Sequence, residues 1–305
     1  MSAVILFNPI SGSGRALLIA ERLAAGLRAS GIAVRLLPTE RRPAREWLAP
    51  ALSGATALVV AGGDGAVRMS AEEAARARVP LWHAPCGTEN LFARTFGMTS
   101  DPVALARAIL AGRTASIDLG RADDEPFTIM ASIGFDAAVV HRLSAVRTGA
   151  ISHLSYVRPG LEVARSWRAS RVSWRIDGEC EELGEGLVVI GNMRAYGVGL
   201  NPTAEALHDD GLLDAVFIPA RTAMELLPWV PLLRLGLAHR LPALPASVDS
   251  GYRMRRGGLI ELTSAPVAEL QLDGDPSLAP AASIRRSFRA EAGALAILRP
   301  APLPG

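Results

Sequence analysis

Through the first 120 residues, short apolar runs alternate with stretches whose apolar residues recur every three or four positions. Ala3–Phe7 is the first run, ended by Asn-Pro and a Gly/Ser loop. Arg15–Ser30 carries Leu17, Leu18, Leu23, Ala24 and Leu27 at helical spacing, and Gly31 follows as a stop. Ile32–Leu37 reads as the next strand, and Pro43–Leu52 as a helix opened by its proline. Ala57–Ala61 is a buried strand running into Gly62-Gly63-Asp64-Gly65. A helix over Ala66–Ala77, a strand near Leu81–Ala84, helices over Glu89–Phe96 and Val103–Ala111, and a strand over Ala115–Leu119 complete the series. Strands alternating with helices predict a parallel sheet covered on both faces, since a parallel partner needs a crossover connection.

The pattern changes after Asp123. Phe127–Ile133, Val172–Ile176, Leu187–Ile190, Leu213–Ile218, Leu259–Thr263 and Glu269–Leu272 read as strands parted by turn-rich segments such as Asp177-Gly178, with one helix at about Ser152–Trp167. That predicts an antiparallel, β-rich second domain. Ser287–Leu298 reads as a strand returning to either domain. The expected division is an α/β domain over 1–122, a β-rich domain over 123–286, and a C-terminal segment, 287–305, that could rejoin the first. Two domains also suit 305 residues.

Composition narrows the chemistry. Apolar residues make up 50% and charged residues 20%, enough for a sizeable core. A net charge of +2 without a basic cluster argues against nucleic acid as a partner. Cys86 and Cys180 are too few for a disulfide framework or a cysteine-rich zinc module. No uncharged apolar stretch reaches the roughly 18 residues of a membrane span. The start, MSAVILFNPISGSG, lacks the basic region of a signal peptide. The expectation is a cytoplasmic protein. All 32 basic residues are arginine. A Schiff-base or pyridoxal-phosphate enzyme and a Walker-type loop each need a lysine, so all three are excluded. Arginine remains a good phosphate ligand because its planar fork binds two oxygens.

Three strand-to-helix junctions carry small residues. Asn8-Pro9-Ile10-Ser11-Gly12-Ser13-Gly14-Arg15 misses the third glycine of a dinucleotide fingerprint, where Leu17 stands; alone it is a tight turn or an anion loop. Gly62-Gly63-Asp64-Gly65 lets backbone approach phosphate, and Asp64 is either a metal ligand or proton acceptor or merely the helix N-cap. In Pro85-Cys86-Gly87-Thr88-Glu89-Asn90, Thr88 either bonds phosphate or caps the helix. In a parallel sheet such junctions share one edge, so together they describe a phosphate-binding rim. In the second domain, Leu207-His208-Asp209-Asp210-Gly211-Leu212-Leu213-Asp214 offers oxygen ligands to a hard cation or is a solvated acidic turn. Leu272-Asp273-Gly274-Asp275-Pro276 reads as a hairpin. His83 and Cys86 are two ligands short of a zinc site, and no serine sits in a nucleophile elbow.

Taken in order, these segments resemble the diacylglycerol kinase catalytic-domain family, which includes bacterial lipid kinases and sphingosine and ceramide kinases. The ordered set adds Phe92-Ala93-Arg94, Gly134-Phe135-Asp136-Ala137 and Gly191-Asn192, and covers nearly the whole chain. The G-G-D-G element is shared with NAD kinases and phosphofructokinases. The resemblance implies an NAD-kinase-like α/β nucleotide-binding domain, a β-sandwich second domain and an active site in the cleft between them. It implies ATP as phosphate donor, contacting Gly62, Gly63, Asp64, Gly65, Ala66, Val67 and Arg68, with Thr39, Thr88 and Asn90, and with Asn8, Ser11 and Gly12 flanking the phosphates. It implies Mg²⁺ held by the carbonyls of Leu207 and Leu212 and the Asp210 carboxylate, with Asp118 near a catalytic magnesium. Asp275 is implied as general base, with Asp64 as the alternative. The acceptor would be a lipid hydroxyl at the inner face of a membrane. A homodimer stays open.

The chain departs from the family pattern at Ala66, Arg68 and Met69, which remove a hydroxyl and a carboxylate near the nucleotide, and at Leu91, where an acid is usual. Asp275 replaces a glutamate and shortens the reach by about 1.5 Å, set against a productive contact of roughly 2.6–3.2 Å. Two alternatives therefore stand beside a lipid kinase: a relative that binds nucleotide or lipid without turnover, and an NAD-kinase-like enzyme with a soluble substrate. The apolar stretch Leu226–Leu233, followed by Arg234, reads either as an interfacial dip or as a packed helix and turn.

Overall fold

The computed structural model describes residues 1–9, 14–146, 153–243, 251–278 and 284–300. Ser11 and Gly12 lie outside the described residues. The chain forms two compact units, the first from Met1–Ile117 and the chain beyond Gly293, the second from most of Asp118–Ala292.

The first unit runs β1 (Ser2–Phe7), α1 (Arg15–Ala29), β2 (Ala33–Pro38), α2 (Ala44–Leu52), β3 (Ala57–Gly62), α3 (Asp64–Ala77), β4 (Leu81–Pro85), α4 (Leu91–Phe96) and α5 (Pro102–Ala111). Its strands are parallel in the order β2-β1-β3-β4. Every residue of β3 is buried, as a central strand covered on both faces requires. The helix α1 turns Ala16, Ala20, Leu23, Ala24 and Leu27 inward. Leu18, counted above on that face, is 67% exposed instead. The start of α3 is earlier than predicted: Gly63 is the N-cap and Asp64 lies in the first helical turn. By contrast α4 starts later, at Leu91 after Asn90, whose φ of 51° is left-handed, so neither Asp64 nor Thr88 is the cap of its own helix.

The second unit begins within β5 (Thr114–Ala122) and continues through β6 (Glu125–Phe127), β7 (Met130–Ile133), α6 (Phe135–Val146), α7 (Val157–Ser166), β8 (Ser170–Ile176), β9 (Glu179–Gly191), β10 (Leu213–Pro219), α8 (Trp229–Arg234), β11 (Arg253–Gly257), β12 (Leu259–Ala265), β13 (Leu270–Leu272), β14 (Asp275–Pro276) and β15 (Arg285–Leu298). Its pairings are antiparallel. Alternate residues of β9 serve two cores. Val188 and Ile190 pack with Trp174, Phe217, Ile260 and Phe288, whereas Leu187 and Val189 pack with Val216, Ile218 and Tyr252. This is the period-2 geometry of a strand buried on both faces.

Four differences from the sequence pattern have physical causes. The single strand expected over Phe127–Ile133 is two, because the Asp273 carboxylate gathers the backbone N–H groups of Thr128, Ile129 and Met130 into a turn. The helix α6 was hidden because its alanine-rich sequence is weakly amphipathic. The strand β11 was hidden by Arg253, Arg255 and Arg256, which read as loop. Finally, β15 serves both units: Arg285–Arg289 pairs with β12, and Ile297 joins β4 at Leu81.

Candidate active site

The carboxyl ends of β2, β1, β3 and β4 bring Thr39, Asn8, Gly62–Gly63 and Pro85–Gly87 to one edge of the parallel sheet. Thr39 N–H donates to Phe7 O at 2.8 Å, and Cys86 N–H to Gly62 O at 2.9 Å. The two glycine turns meet backbone to backbone: a methyl group on Gly87 would lie 2.7 Å from Gly63 Cα, and one on Gly63 would lie 3.3 Å from Gly87 Cα. Gly62 is equally constrained, since its methyl would come within 2.7 Å of Ala66 Cβ. Thr88 is exposed on this edge. The Asn90 amide closes the turn on itself, accepting from Gly87 N–H and donating to Gly87 O, both at 2.8 Å. Of the residues implied for ATP, Val67 is fully buried and Arg68 is 9% exposed.

Asp64 spends its carboxylate on the neighbouring turn. One oxygen accepts Leu91 N–H at 2.9 Å and the other Phe92 N–H at 3.0 Å, satisfying the first N–H groups of α4. Burial pushes its pKa up against those bonds. Behind it, the buried His83 donates from Nε2 to Gly62 O at 2.9 Å, while Nδ1 has no partner and lies 4.0 Å from Asp64 Oδ1. Burial lowers the imidazole pKa to about 4, so the ring is neutral. Asp64 and His83 therefore hold the glycine turns in register. In the sequence His83 is only half of an incomplete zinc pair; that its ring buttresses Gly62 needed the pairing of β3 with β4.

In the second unit, the acidic loop is anchored by Asp118, whose carboxylate accepts Gly211 N–H at 2.7 Å and whose own N–H donates to His208 O. Asn192, fully buried, donates to both Asp118 O and Thr128 O at 2.9 Å. Asp210 accepts Leu212 N–H with one oxygen, and its other oxygen lies 3.6 Å from Arg256. Arg256 also grips the buried Asp214 with two bonds, at 3.1 and 3.2 Å, and donates to Glu205 O at 2.9 Å. Burial raises the Asp214 pKa against that pairing. Mg²⁺ wants an octahedron of oxygens, usually including one or two free carboxylates. Here the Asp210 oxygens face a peptide N–H and a guanidinium, and no group of three His, Cys, Asp or Glu suited to a metal occurs among the described residues. Of the groups implied to hold Mg²⁺, the Asp210 carboxylate is thus already engaged in this arrangement, and Arg256 supplies positive charge beside it. Arg256 was missed because β11 was missed: only the register opposite Asp214 exposes the pair.

The late acidic turn is a β13–β14 hairpin with Asp273 at φ 51° and Gly274 at φ 85°. Asp273 is tied down by four donors, the N–H and hydroxyl of Thr128 and the N–H groups of Ile129 and Met130, at 2.7–2.9 Å. The hairpin thus holds the half-buried Asp275 on a rigid turn.

An α/β unit whose glycine turns line one sheet edge, with an antiparallel sandwich after it in the chain, is the NAD-kinase-like architecture. The chain belongs to the diacylglycerol kinase family: residues 2–122 match the model "Diacylglycerol kinase catalytic domain" and residues 129–298 the model "YegS C-terminal NAD kinase beta sandwich-like domain". It is therefore a phosphotransferase. It is 35% identical over 243 residues to a protein of Mycobacterium tuberculosis named "Diacylglycerol kinase", covering 77% of this chain and 78% of that one. It is 32% identical over 271 residues to a "Probable lipid kinase YegS-like" of Pseudomonas aeruginosa, covering 87% and 82%. In fold it is similar to a diacylglycerol kinase crystal structure from Bacillus anthracis, with a TM-score of 0.69, 21% identity, and coverage of 98% and 96%. A more distant likeness, with a TM-score of 0.51 and 10% identity over 99% and 84%, is to yeast NADH kinase.

Proposed function

We propose that this protein transfers the γ-phosphate of ATP, delivered as its Mg²⁺ complex, to the hydroxyl of a membrane lipid such as a diacylglycerol or a sphingoid base. The observation that carries this reading is the contact of Gly63 with Gly87, which leaves an edge of bare backbone beside the N-terminus of α3. Such an edge suits a phosphate group. Phosphoryl transfer asks chiefly for positioning and charge neutralisation. Backbone N–H groups of the glycine turns hold the phosphates, with Asn8, Thr39 and Thr88 around them. Asp275 takes the proton from the lipid hydroxyl as its oxygen bonds to the γ-phosphorus, and the bond from that phosphorus to the bridging oxygen breaks to release ADP. Asp64, with both oxygens engaged, acts as a clamp rather than a base.

The membrane contact falls to exposed apolar side chains on two helical segments. Leu154, Val157 and Leu161 are 81%, 54% and 57% exposed on the helical segment containing α7. Leu227 and Val230 also face outward, while Leu226, Trp229, Leu232 and Leu233 pack inward. The stretch read as either dip or packing thus divides its residues between the two. No helix among the described residues is long and apolar enough to cross a membrane, and exposed apolar side chains of this kind suit shallow docking.

The test is γ-labelled ATP with micelles of dioleoylglycerol or sphingosine. We expect label in the lipid and its loss in Asp275→Asn, with ATP binding intact. No label in any lipid from protein that binds ATP would overturn the reading, and label in NAD would replace it.

A further inference from the structure

Gln271 is a polar residue in the apolar strand Leu270-Gln271-Leu272, and it is 1% exposed. Its amide bridges two structures. On one side Oε1 accepts Gly274 N–H at 2.8 Å, inside the turn that precedes Asp275. On the other side Nε2 donates to Ser132 Oγ at 2.6 Å and approaches Asp136 Oδ2 at 3.4 Å. That Asp136 oxygen also accepts the hydroxyls of Ser132 and Tyr196, the latter at 2.7 Å. Asp136 Oδ1 is buried without a partner. The hairpin is therefore clamped from two sides. Asp273 fixes its outer arm to the β6–β7 turn, and Gln271 fixes its inner arm to the first turn of α6.

We infer that Gln271 is a positioning residue for the phosphoryl-acceptor step: its amide transmits the geometry of the Ser132–Asp136–Tyr196 cluster to Asp275. The inference rests on the reading of Asp275 as the base. An amide meets both demands at any pH, because one end accepts from a peptide N–H while the other donates toward a carboxylate. A glutamate has the same shape and keeps the acceptor, but when ionised it sets a second negative charge against Asp136. Burial and that neighbour would both raise its pKa. When protonated, it restores the donor. The titratable groups around the amide are Asp136 on α6, Tyr196 in the loop after β9, Asp273 and Asp275 on the hairpin, and His141 on α6, whose Nε2 lies 2.8 Å from Leu270 O. Glu125 of β6 holds Ser277 and Leu278 just beyond the hairpin.

The experiment compares kcat and KM for ATP from pH 5 to 9 in the parent, Gln271→Glu, Gln271→Asn and Asp275→Asn, using the full chain and dioleoylglycerol or sphingosine micelles. A displacement of about 1 Å at a reacting group costs on the order of 100-fold in rate. We expect Gln271→Glu to lose about 10- to 100-fold in kcat above neutral pH, with KM for ATP unchanged, and to recover as pH falls. The parent should show no such recovery at low pH. Gln271→Asn is too short to span both partners and should be slow at every pH. A parent-like pH profile in Gln271→Glu, with Asp275→Asn inactive, overturns the positioning role and leaves the base intact. Full activity in Asp275→Asn, or no transfer by the parent, removes the base and the inference with it.

Discussion

Gly87→Ala tests the phosphate edge most directly. The added methyl would sit 2.7 Å from Gly63 Cα, 3.0 Å from Asn90 Oδ1 and 3.4 Å from Gly63 N. Carbon atoms pack best at about 3.5–4.0 Å, so the two turns must part by about 1 Å. The atoms met include backbone, which has no rotamer with which to yield. Overpacking of this kind costs about 1–3 kcal/mol. At about 2–4 °C per kcal/mol for a domain of this size, Tm should fall by several degrees. Parting the turns also spreads the N–H groups that would hold phosphate, and a tenfold loss of ATP affinity corresponds to about 1.4 kcal/mol. Gly63→Ala meets its nearest atom at 3.3 Å and should do less harm on both counts. Gly160→Ala in α7 has nothing within 4 Å and should be neutral or stabilising by about 0.5–1 kcal/mol. Differential scanning calorimetry and titration calorimetry with ATP read both quantities. If Gly87→Ala melts and binds ATP as the parent does, the close approach of the two turns has no bearing on the site.

Three further outcomes are expected. His83 has a folded pKa of about 4 against an ordinary 6.5, so its contribution is complete above about pH 6.5 and is lost as pH falls toward 4. At 1.36 kcal/mol per unit this amounts to about 3 kcal/mol. Urea denaturation at pH 7 and 4.5 should show that loss in the parent and a flatter dependence in His83→Gln; the difference isolates it from Asp64, whose raised pKa acts in the opposite sense. Asp273→Ala strands three buried backbone donors and should cost about 3–5 kcal/mol, and an unfolding midpoint within 1 kcal/mol of the parent, by the linear relation of free energy to urea, would refute the clamp. Chelating divalent cations should leave the parent's Tm unchanged, whereas Arg256→Ala, which abandons the buried Asp214, should lower stability by about 2–4 kcal/mol; a parent that loses several degrees with EDTA would restore the metal reading of the acidic loop.

The strands and helices of the first unit were legible because each is a local pattern: an apolar run of four to six residues, or a stripe at helical period, ended by glycine or proline. The late acidic turn was equally visible, since an Asp-Gly pair marks a hairpin from sequence alone. Roles were another matter. Asp64 looked like a base or a cap for its own helix, yet it caps α4, whose first residues are 27 and 28 positions away. Arg256 meets Asp214 across 42 positions, and Gln271 meets Ser132 across 139. The one local signal for Gln271 was a lone amide between two leucines, which says that it is buried but not with what.

Chain order thus determined the α/β and β-rich halves, the glycine-bearing strand ends and the family resemblance, because turn chemistry and hydrophobic period act over a few residues. Only tertiary structure decided that Gly63 touches Gly87, that Arg256 supplies positive charge beside Asp210, and that an amide in β13 braces the turn before Asp275. Those facts depend on strand register, which pairs residues far apart in the chain through hydrogen bonds and shared burial that no short window of sequence contains.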